Sequence, residues 1–202
     1  MEHWLGVAEQ LRIAGVSDRV RMYLDDGYAS ATAAARLMRQ RYPEVEVVAA
    51  LTVKTIGEAG HLDWHAIRAM HSWGVQIVGH GYQHVRLAAY RDGSALKTPH
   101  DGLYRPAPSL ADDVQLSANE VLFQLAETCD ALADVARSEF ALPYGAYNTD
   151  VININDRHRF FAVISTADYG WDFGQELRPR LLVTRDLSPR DIPGLLAFPW
   201  PK

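Results

Sequence analysis

Apolar residues along the chain occur with two spacings that alternate. Short dense runs rich in β-branched residues predict buried strands, whereas apolar residues at every third or fourth position predict amphipathic helices. In the first half of the chain the predicted elements are a strand at 20–24, a helix at 30–42, a strand at 45–53, a helix at 63–74 and a strand at 75–80. This order predicts βαβ units around a parallel sheet or barrel.

The second half of the chain continues the pattern after a polar stretch. Residues 85–114 contain Gly and Pro and predict a long loop, a length that is typical of functional loops such as a substrate cover or a partner contact. The elements predicted after it are a helix at 117–136, strands at 138–145, 160–166 and 181–187, and a short helix at 188–196. Since no repeat or linker interrupts the pattern, we expect one domain over residues 1–202.

Composition and charge exclude several classes of function. The chain of 202 residues has a formal net charge of -5 and no basic stripe, which argues against a nucleic-acid partner. No apolar run approaches about 18 residues, so we expect no membrane span. The N-terminal stretch carries Glu2, Glu9 and Arg12, which does not fit a signal peptide, and one cysteine cannot form an internal disulfide. We therefore expect a cytoplasmic protein and leave its oligomeric state open.

Candidate chemistry lies where predicted strands end. Asp25 and Asp26 directly follow the first strand, and His80 closes the third, so a parallel arrangement gathers them at one edge. His80 and His84 are four positions apart, and a helical turn there would let both imidazoles bind one metal. With Asp26 as a third ligand, coordination positions stay open for water and substrate, and Asp25 is free to act as a base.

Each part of this pattern also has an ordinary explanation. Asp-Gly is a common turn dipeptide, so Asp25, Asp26 and Gly27 alone would indicate only a turn. His61 and His65 repeat the four-residue spacing, but they lie at the start of a predicted helix, away from the strand ends. We expect no metal at that second pair, and the combination of strand-end aspartates and histidines favours a site at the first.

Three segments, in this order, carry a resemblance to a known family. They are YLDDG at 23–27, HGYQH at 80–84 and ALPYG at 141–145. They resemble the T-F-D-D-G, H-[ST]-x-x-H and R-x-P-[YF]-G motifs of the polysaccharide deacetylase family, which has the NodB-homology domain of carbohydrate esterases. The resemblance covers roughly residues 18–187.

The resemblance implies a fold and a reaction. The fold would be a distorted, incomplete (β/α) barrel of about seven strands. The reaction would be the removal of an N-acetyl or O-acetyl group from a sugar or polysaccharide intermediate by metal-bound water that Asp25 activates. The implied metal is divalent, with zinc the ion that we expect. The implied metal ligands are Asp26, His80 and His84. Tyr144 would hold the oxyanion through its backbone N–H. The implied substrate contacts are Pro143, Gly145, Asp168 and Trp171.

The chain departs from the family pattern at three places. Ala141 stands where the family has an arginine that pairs with the catalytic aspartate, and Arg180 or Arg185 is a candidate to replace it. No histidine follows His158, although the family takes its general acid from a histidine near the C-terminus. Gly81 stands between the two histidines in place of Ser or Thr. The candidates for the missing acid are Arg185, Asp186 and, in the long loop, His100, which we also place among the substrate contacts.

These departures keep two other functions open. The same scaffold would also suit hydrolysis of a non-sugar amide or cyclic imide, or deformylation of an amino sugar. A degenerate member of the family would bind a metal or a carbohydrate without turnover. For the leading hypothesis the expected partner is a carbohydrate, with a nucleotide-linked or lipid-linked sugar as the expected form.

Overall fold

Six parallel strands within the described part of the chain form one sheet in the order of the sequence. The structure is a computed structural model that describes residues 2–87, 116–145, 147, 149–166, 177–180 and 187–197. Each strand pairs in parallel with the next one along the chain. The strands are β1 (Arg21–Leu24), β2 (Glu46–Leu51), β3 (Gln76–Gly79), β4 (Ala136–Ala141), β5 (Val163–Thr166) and β6 (Leu177–Pro179).

Six α-helices accompany the sheet in the described part of the chain. They are α1 (Glu2–Ile13), α2 (Ser30–Arg41), α3 (Trp64–Ser72), α4 (Ala118–Leu132), α5 (Thr149–His158) and α6 (Ile192–Ala197). Side chains begin two of them as predicted, because Asp63 accepts a hydrogen bond from the Ala66 amide at 2.7 Å and Ser117 forms a capping box with Glu120. None of these helices has the length and apolar character needed to cross a membrane.

The sheet curls strongly. Neighbouring strands lie about 4.8 Å apart, so a flat sheet would separate β1 from β6 by about 24 Å. Arg180 directly follows β6, yet its guanidinium lies 2.9 Å from the carboxylate of Asp25, which directly follows β1. The predicted incomplete barrel is therefore confirmed, and six of the roughly seven expected strands lie among the described residues.

The two faces of the sheet have different roles. On β1, Met22 and Leu24 point outward into a large apolar core shared with α1, α2 and α3. Tyr23 lies on the opposite, inner face, where it packs with small and β-branched residues of the neighbouring strands. Those residues are Val48, Ala50, Val78 and Ala141. Small inner side chains leave room for polar groups at both ends of the curled sheet.

The structure differs from the sequence-based expectations at several elements. Helices α1 and α5 were not predicted. Helix α5 contains four β-branched residues, which have low helix propensity, and it is stabilised by packing against α4. Strand β4 ends at Ala141 because a 3₁₀ turn follows it. Strand β6 was not predicted, and most of the predicted strand at 181–187 lies outside the described residues, as does the predicted loop from residue 88 onward.

Candidate active site

The turn after β1 places two aspartates at the edge of the sheet. Asp26 has a φ of +71° and Gly27 a φ of +76°, so the chain reverses its direction sharply. The carbonyl of Gly27 accepts a hydrogen bond from the Leu62 amide at 2.8 Å, which fixes the turn to the segment before α3. The two carboxylates are held at the carboxyl end of β1 as predicted.

A second turn brings the two histidines together after β3. The His80 amide bonds to the carbonyl of Leu51 at 2.8 Å, and the imidazole rings of His80 and His84 lie 4.8 Å apart. We expected a helical turn here, but the chain instead uses Gly81 at φ +82° and His84 at φ +54°. The positive φ of Gly81 favours glycine, and a Cβ at position 81 would also lie 3.2 Å from Cγ of Pro143.

Three potential metal ligands converge at this edge. Oδ1 of Asp26 lies 2.9 Å from Nε2 of His84 and 3.4 Å from Nε2 of His80, and the two Nε2 atoms are 3.2 Å apart. Ligand atoms at about 2.0–2.1 Å from a tetrahedral zinc ion are about 3.3 Å from one another. The three side chains therefore fit a zinc-sized cation.

A backbone carbonyl determines which nitrogen of His80 is available. Nδ1 of His80 lies 2.8 Å from the carbonyl oxygen of Ala141, which can only accept a hydrogen bond. Nδ1 therefore carries the proton, and the lone pair of Nε2 faces Asp26 and His84. A carbonyl that orients a histidine in this way is typical of metal sites, and His80 is only 2% exposed.

The charge state of Asp26 suits a ligand. The imidazoles of His80 and then His84 hold the pKa of the Asp26 carboxyl well below its usual range, against the opposing effect of burial. The ionised carboxylate is the form that binds a metal.

Asp25 has a different environment. Its Oδ2 lies 4.0 Å from Nε2 of His80, which is too long for a direct bond but close to the ligand cluster. Nη1 of Arg180 donates to both carboxylate oxygens, at 2.9 and 3.0 Å. Arg180, one of the two candidates for the arginine that is missing at Ala141, thus pairs with Asp25, and Arg185 lies outside the described residues.

The third motif forms a tight turn against the second. Pro143 and Gly145 are buried, and the Gly145 amide bonds to the Leu142 carbonyl at 3.0 Å. Tyr144 between them has a φ of +58°, and its ring lies 4.7 Å from the His84 ring. The turn therefore places the Tyr144 ring next to His84.

Backbone strain concentrates at this site. Four non-glycine residues in the described part of the chain have positive φ, and three of them are Asp26, His84 and Tyr144. Such conformations cost free energy and persist where the surrounding contacts impose them, which is typical of functional sites.

Other predicted residues lie elsewhere. His61 stacks on Tyr28 at 5.1 Å, and His65 is exposed. Within the described ranges, Asp26, His80 and His84 form the one group of three or more side chains placed to share a metal, so neither histidine of the second pair belongs to it. The predicted substrate residues His100, Asp168 and Trp171 lie outside the described residues.

Sequence reasoning missed a polar group on the inner face. Arg21 bonds to Glu46 at 2.6 Å, to Gln76 at 3.0 Å and to Glu139 at 2.8 Å, and the Tyr23 hydroxyl donates to Glu139. Polar residues that recur near the start of otherwise buried strands were the signal that could have revealed it.

Two solved structures share the fold of this chain. IcaB from Ammonifex degensii is similar in structure, with a TM-score of 0.63 and 18% sequence identity over 95% of this chain and 88% of its own. The Streptococcus pyogenes deacetylase PplD, solved in complex with acetate, has a TM-score of 0.67 and 13% identity over 95% of this chain and 84% of its own. At these identities the likeness shows the fold.

The family is shown by the sequence match. No curated protein matches the chain significantly. The family model described as polysaccharide deacetylase matches residues 16–163, well over half of the chain and all three motif segments. This protein therefore belongs to the polysaccharide deacetylase family.

Proposed function

We propose that this protein is a metal-dependent deacetylase that removes an N-acetyl or O-acetyl group from a carbohydrate. The observation that carries the proposal is the convergence of Asp26, His80 and His84 next to an arginine-paired Asp25. Membership of the polysaccharide deacetylase family supports a hydrolase with a carbohydrate substrate. Acetate is bound in the similar structure PplD, which supports acetyl as the acyl group.

Asp26, His80 and His84 would hold the divalent cation. Two imidazole nitrogens and one carboxylate oxygen are a ligand set that zinc accepts, and it leaves positions open for catalysis. When bound, the cation supplies a Lewis acid that polarises the acyl carbonyl and acidifies water. The Ala141 carbonyl keeps Nε2 of His80 directed at this position.

Asp25 is the proposed general base. Its side chain is 36% exposed, so a water molecule can reach it, and its Oδ2 lies 4.0 Å from Nε2 of His80. Asp25 accepts the proton from the attacking water. The guanidinium of Arg180 fixes the orientation of the carboxylate through its contacts with both oxygens, as the family arginine would from position 141.

The turn at 143–145 is the proposed oxyanion and substrate region. The backbone N–H of Tyr144 would stabilise the negative oxygen that develops as water adds to the acyl carbonyl. Buried Pro143 and Gly145 hold that turn beside His84. Contacts of Pro143, Gly145, His100, Asp168 and Trp171 with the substrate stay predictions.

The test is release of acetate from N-acetylglucosamine oligosaccharides and from an O-acetylated glycan. We expect turnover by zinc-loaded protein, loss of turnover after removal of metal by a chelator, and recovery on adding zinc. Release of formate or ammonia from other amides, with no acetate, would favour the deformylase or non-sugar amidase function. Stoichiometric metal without any product would identify a binding protein and overturn the proposal.

A further inference from the structure

A column of alternating charges crosses the inner face of the sheet. Starting at the ligand cluster, Asp25 pairs with Arg180, whose guanidinium carbon lies 4.9 Å from the centre of the Tyr23 ring. The Tyr23 hydroxyl donates to Glu139, and Glu139 pairs with Arg21 at 2.8 Å. Each charge in the column faces one of opposite sign, with the aromatic ring between the two arginines.

Two contacts of the Arg180 guanidinium lie within the described part of the chain. Arg180 directly follows the short strand β6, and its buried Nε has no hydrogen-bond partner among the described residues. Its side chain is nevertheless only 12% exposed. Among the described residues, the guanidinium contacts the carboxylate of Asp25 and the face of the Tyr23 ring.

Two of the positions that differ from the family motifs are neighbours on this face. Tyr23 occupies the position of the motif threonine, and Ala141 occupies that of the motif arginine. Both belong to the same inner cluster. Because Ala141 is small and uncharged, β4 does not supply the positive charge of the family arginine. The large ring of Tyr23 provides an aromatic surface on which the guanidinium of Arg180, from the end of β6, can lie.

We propose that Tyr23 is a positioning residue of the catalytic site: its ring seats Arg180 against Asp25, while Glu139 and Arg21 hold the ring in place. This inference rests on the proposed function of Asp25 as the base. Burial, followed by the nearby Glu139 carboxylate, raises the pKa of Tyr23 to about 12, so the phenol keeps its proton and donates to Glu139.

The kinetic test compares two substitutions at one position. In Tyr23→Leu the ring is absent, and we expect kcat for acetate release to fall at least about 10-fold with KM within about twofold, because the base is misplaced while substrate binding is kept. Tyr23→Phe keeps the ring face, and we expect kcat within about threefold of wild type. Equal losses in both variants would overturn the role of the ring.

Tyr42→Leu is a matched control. Tyr42 is also half-buried and lies near a glutamate, Glu9, but it packs on the outer core. We expect wild-type kcat for this variant. If Tyr23→Leu does not fold, as judged by its thermal unfolding, Tyr23→Met takes its place, because a flexible side chain fills more of the space.

A double-mutant cycle separates positioning from a general structural effect. If Tyr23 acts through Arg180, then Tyr23→Leu combined with Arg180→Met should have the same kcat as Arg180→Met alone. If the two losses multiply, Tyr23 does not act through Arg180 and the proposal is wrong.

An NMR measurement makes the inference independent of activity. Resolved ¹⁵Nη signals of Arg180, assigned with Arg180→Lys, report an immobilised guanidinium. We expect them in wild type, Tyr23→Phe and Tyr42→Leu and not in Tyr23→Leu. If wild type shows no turnover but this pattern holds, the proposed function fails and the seating of Arg180 stands. If the signals persist in Tyr23→Leu, the seating fails whatever the activity.

Discussion

Arg180 and Asp25 form an ion pair across 155 positions of sequence, with Nη1 of the arginine 2.9 Å and 3.0 Å from the two carboxylate oxygens. The family motif places this arginine at the end of the fourth strand, where the chain has Ala141. The curl of the sheet brings the end of β6 to the end of β1, so the Asp25 carboxylate pairs with an arginine that follows β6 and not with one at position 141.

The metal ligands are tested by removing single imidazoles. His80→Ala or His84→Ala should remove bound zinc and acetate release together, because two remaining ligands hold the ion weakly. Far-UV circular dichroism should show a retained fold. Zinc is measured by mass spectrometry of the purified protein. His61→Ala and His65→Ala are controls with the same spacing, and zinc loss in either one would contradict the assigned ligand set.

Removal of the proposed base should separate metal binding from turnover. Asp25→Asn keeps the size of the side chain but cannot accept the proton, so we expect full zinc content and a kcat lower by at least about 100-fold. The readouts are zinc stoichiometry and acetate release from N-acetylglucosamine oligosaccharides. Full turnover in Asp25→Asn would show that another group is the base.

Gly81 should be intolerant of a side chain. Its φ is +82°, and an added Cβ would lie 3.2 Å from Pro143, whereas Gly57 has a φ of +86° with nothing within 4 Å. We expect Gly57→Ala to lower the free energy of unfolding by about 1–2 kcal/mol through backbone strain alone. Gly81→Ala should lower it further and should also weaken zinc binding, because Gly81 sets the approach of His84 to His80. Stability is measured by urea unfolding. Equal losses in Gly57→Ala and Gly81→Ala would mean that Pro143 moves aside at no cost and that the contact does not restrict position 81.

The Tyr23 hydroxyl should make stability depend on alkaline pH. Its folded pKa of about 12 lies above the ordinary value of 10.0. A raised folded pKa stabilises the fold fully below pH 10 and loses that contribution as the pH rises through 12. The difference in unfolding free energy between wild type and Tyr23→Phe should therefore shrink by about 1–2 kcal/mol between pH 9 and pH 12. This difference is measured by urea unfolding at each pH. A difference that does not change with pH would mean that the pKa of the Tyr23 phenol is not raised in the folded protein.

Local patterns predicted much of the fold and of the site. Asp63 and Ser117 begin their helices with the hydrogen bonds that their positions indicated. The rule that parallel strands end at one edge was enough to bring Asp25, Asp26 and His80 together. Helix α5 escaped prediction because its β-branched residues have low helix propensity and tertiary packing determines their conformation.

The sequence by itself determined the alternation of strands and helices over most of the chain and the edge at which the carboxylates and imidazoles gather, because periodicity and strand ends are local properties. Only the tertiary structure decided that Arg180 pairs with Asp25, that the Ala141 carbonyl selects the tautomer of His80, and that Tyr23 lies beneath the guanidinium. Each of these contacts joins strands that are distant in sequence, and the curvature of the sheet, which no local spacing encodes, sets the distance between them.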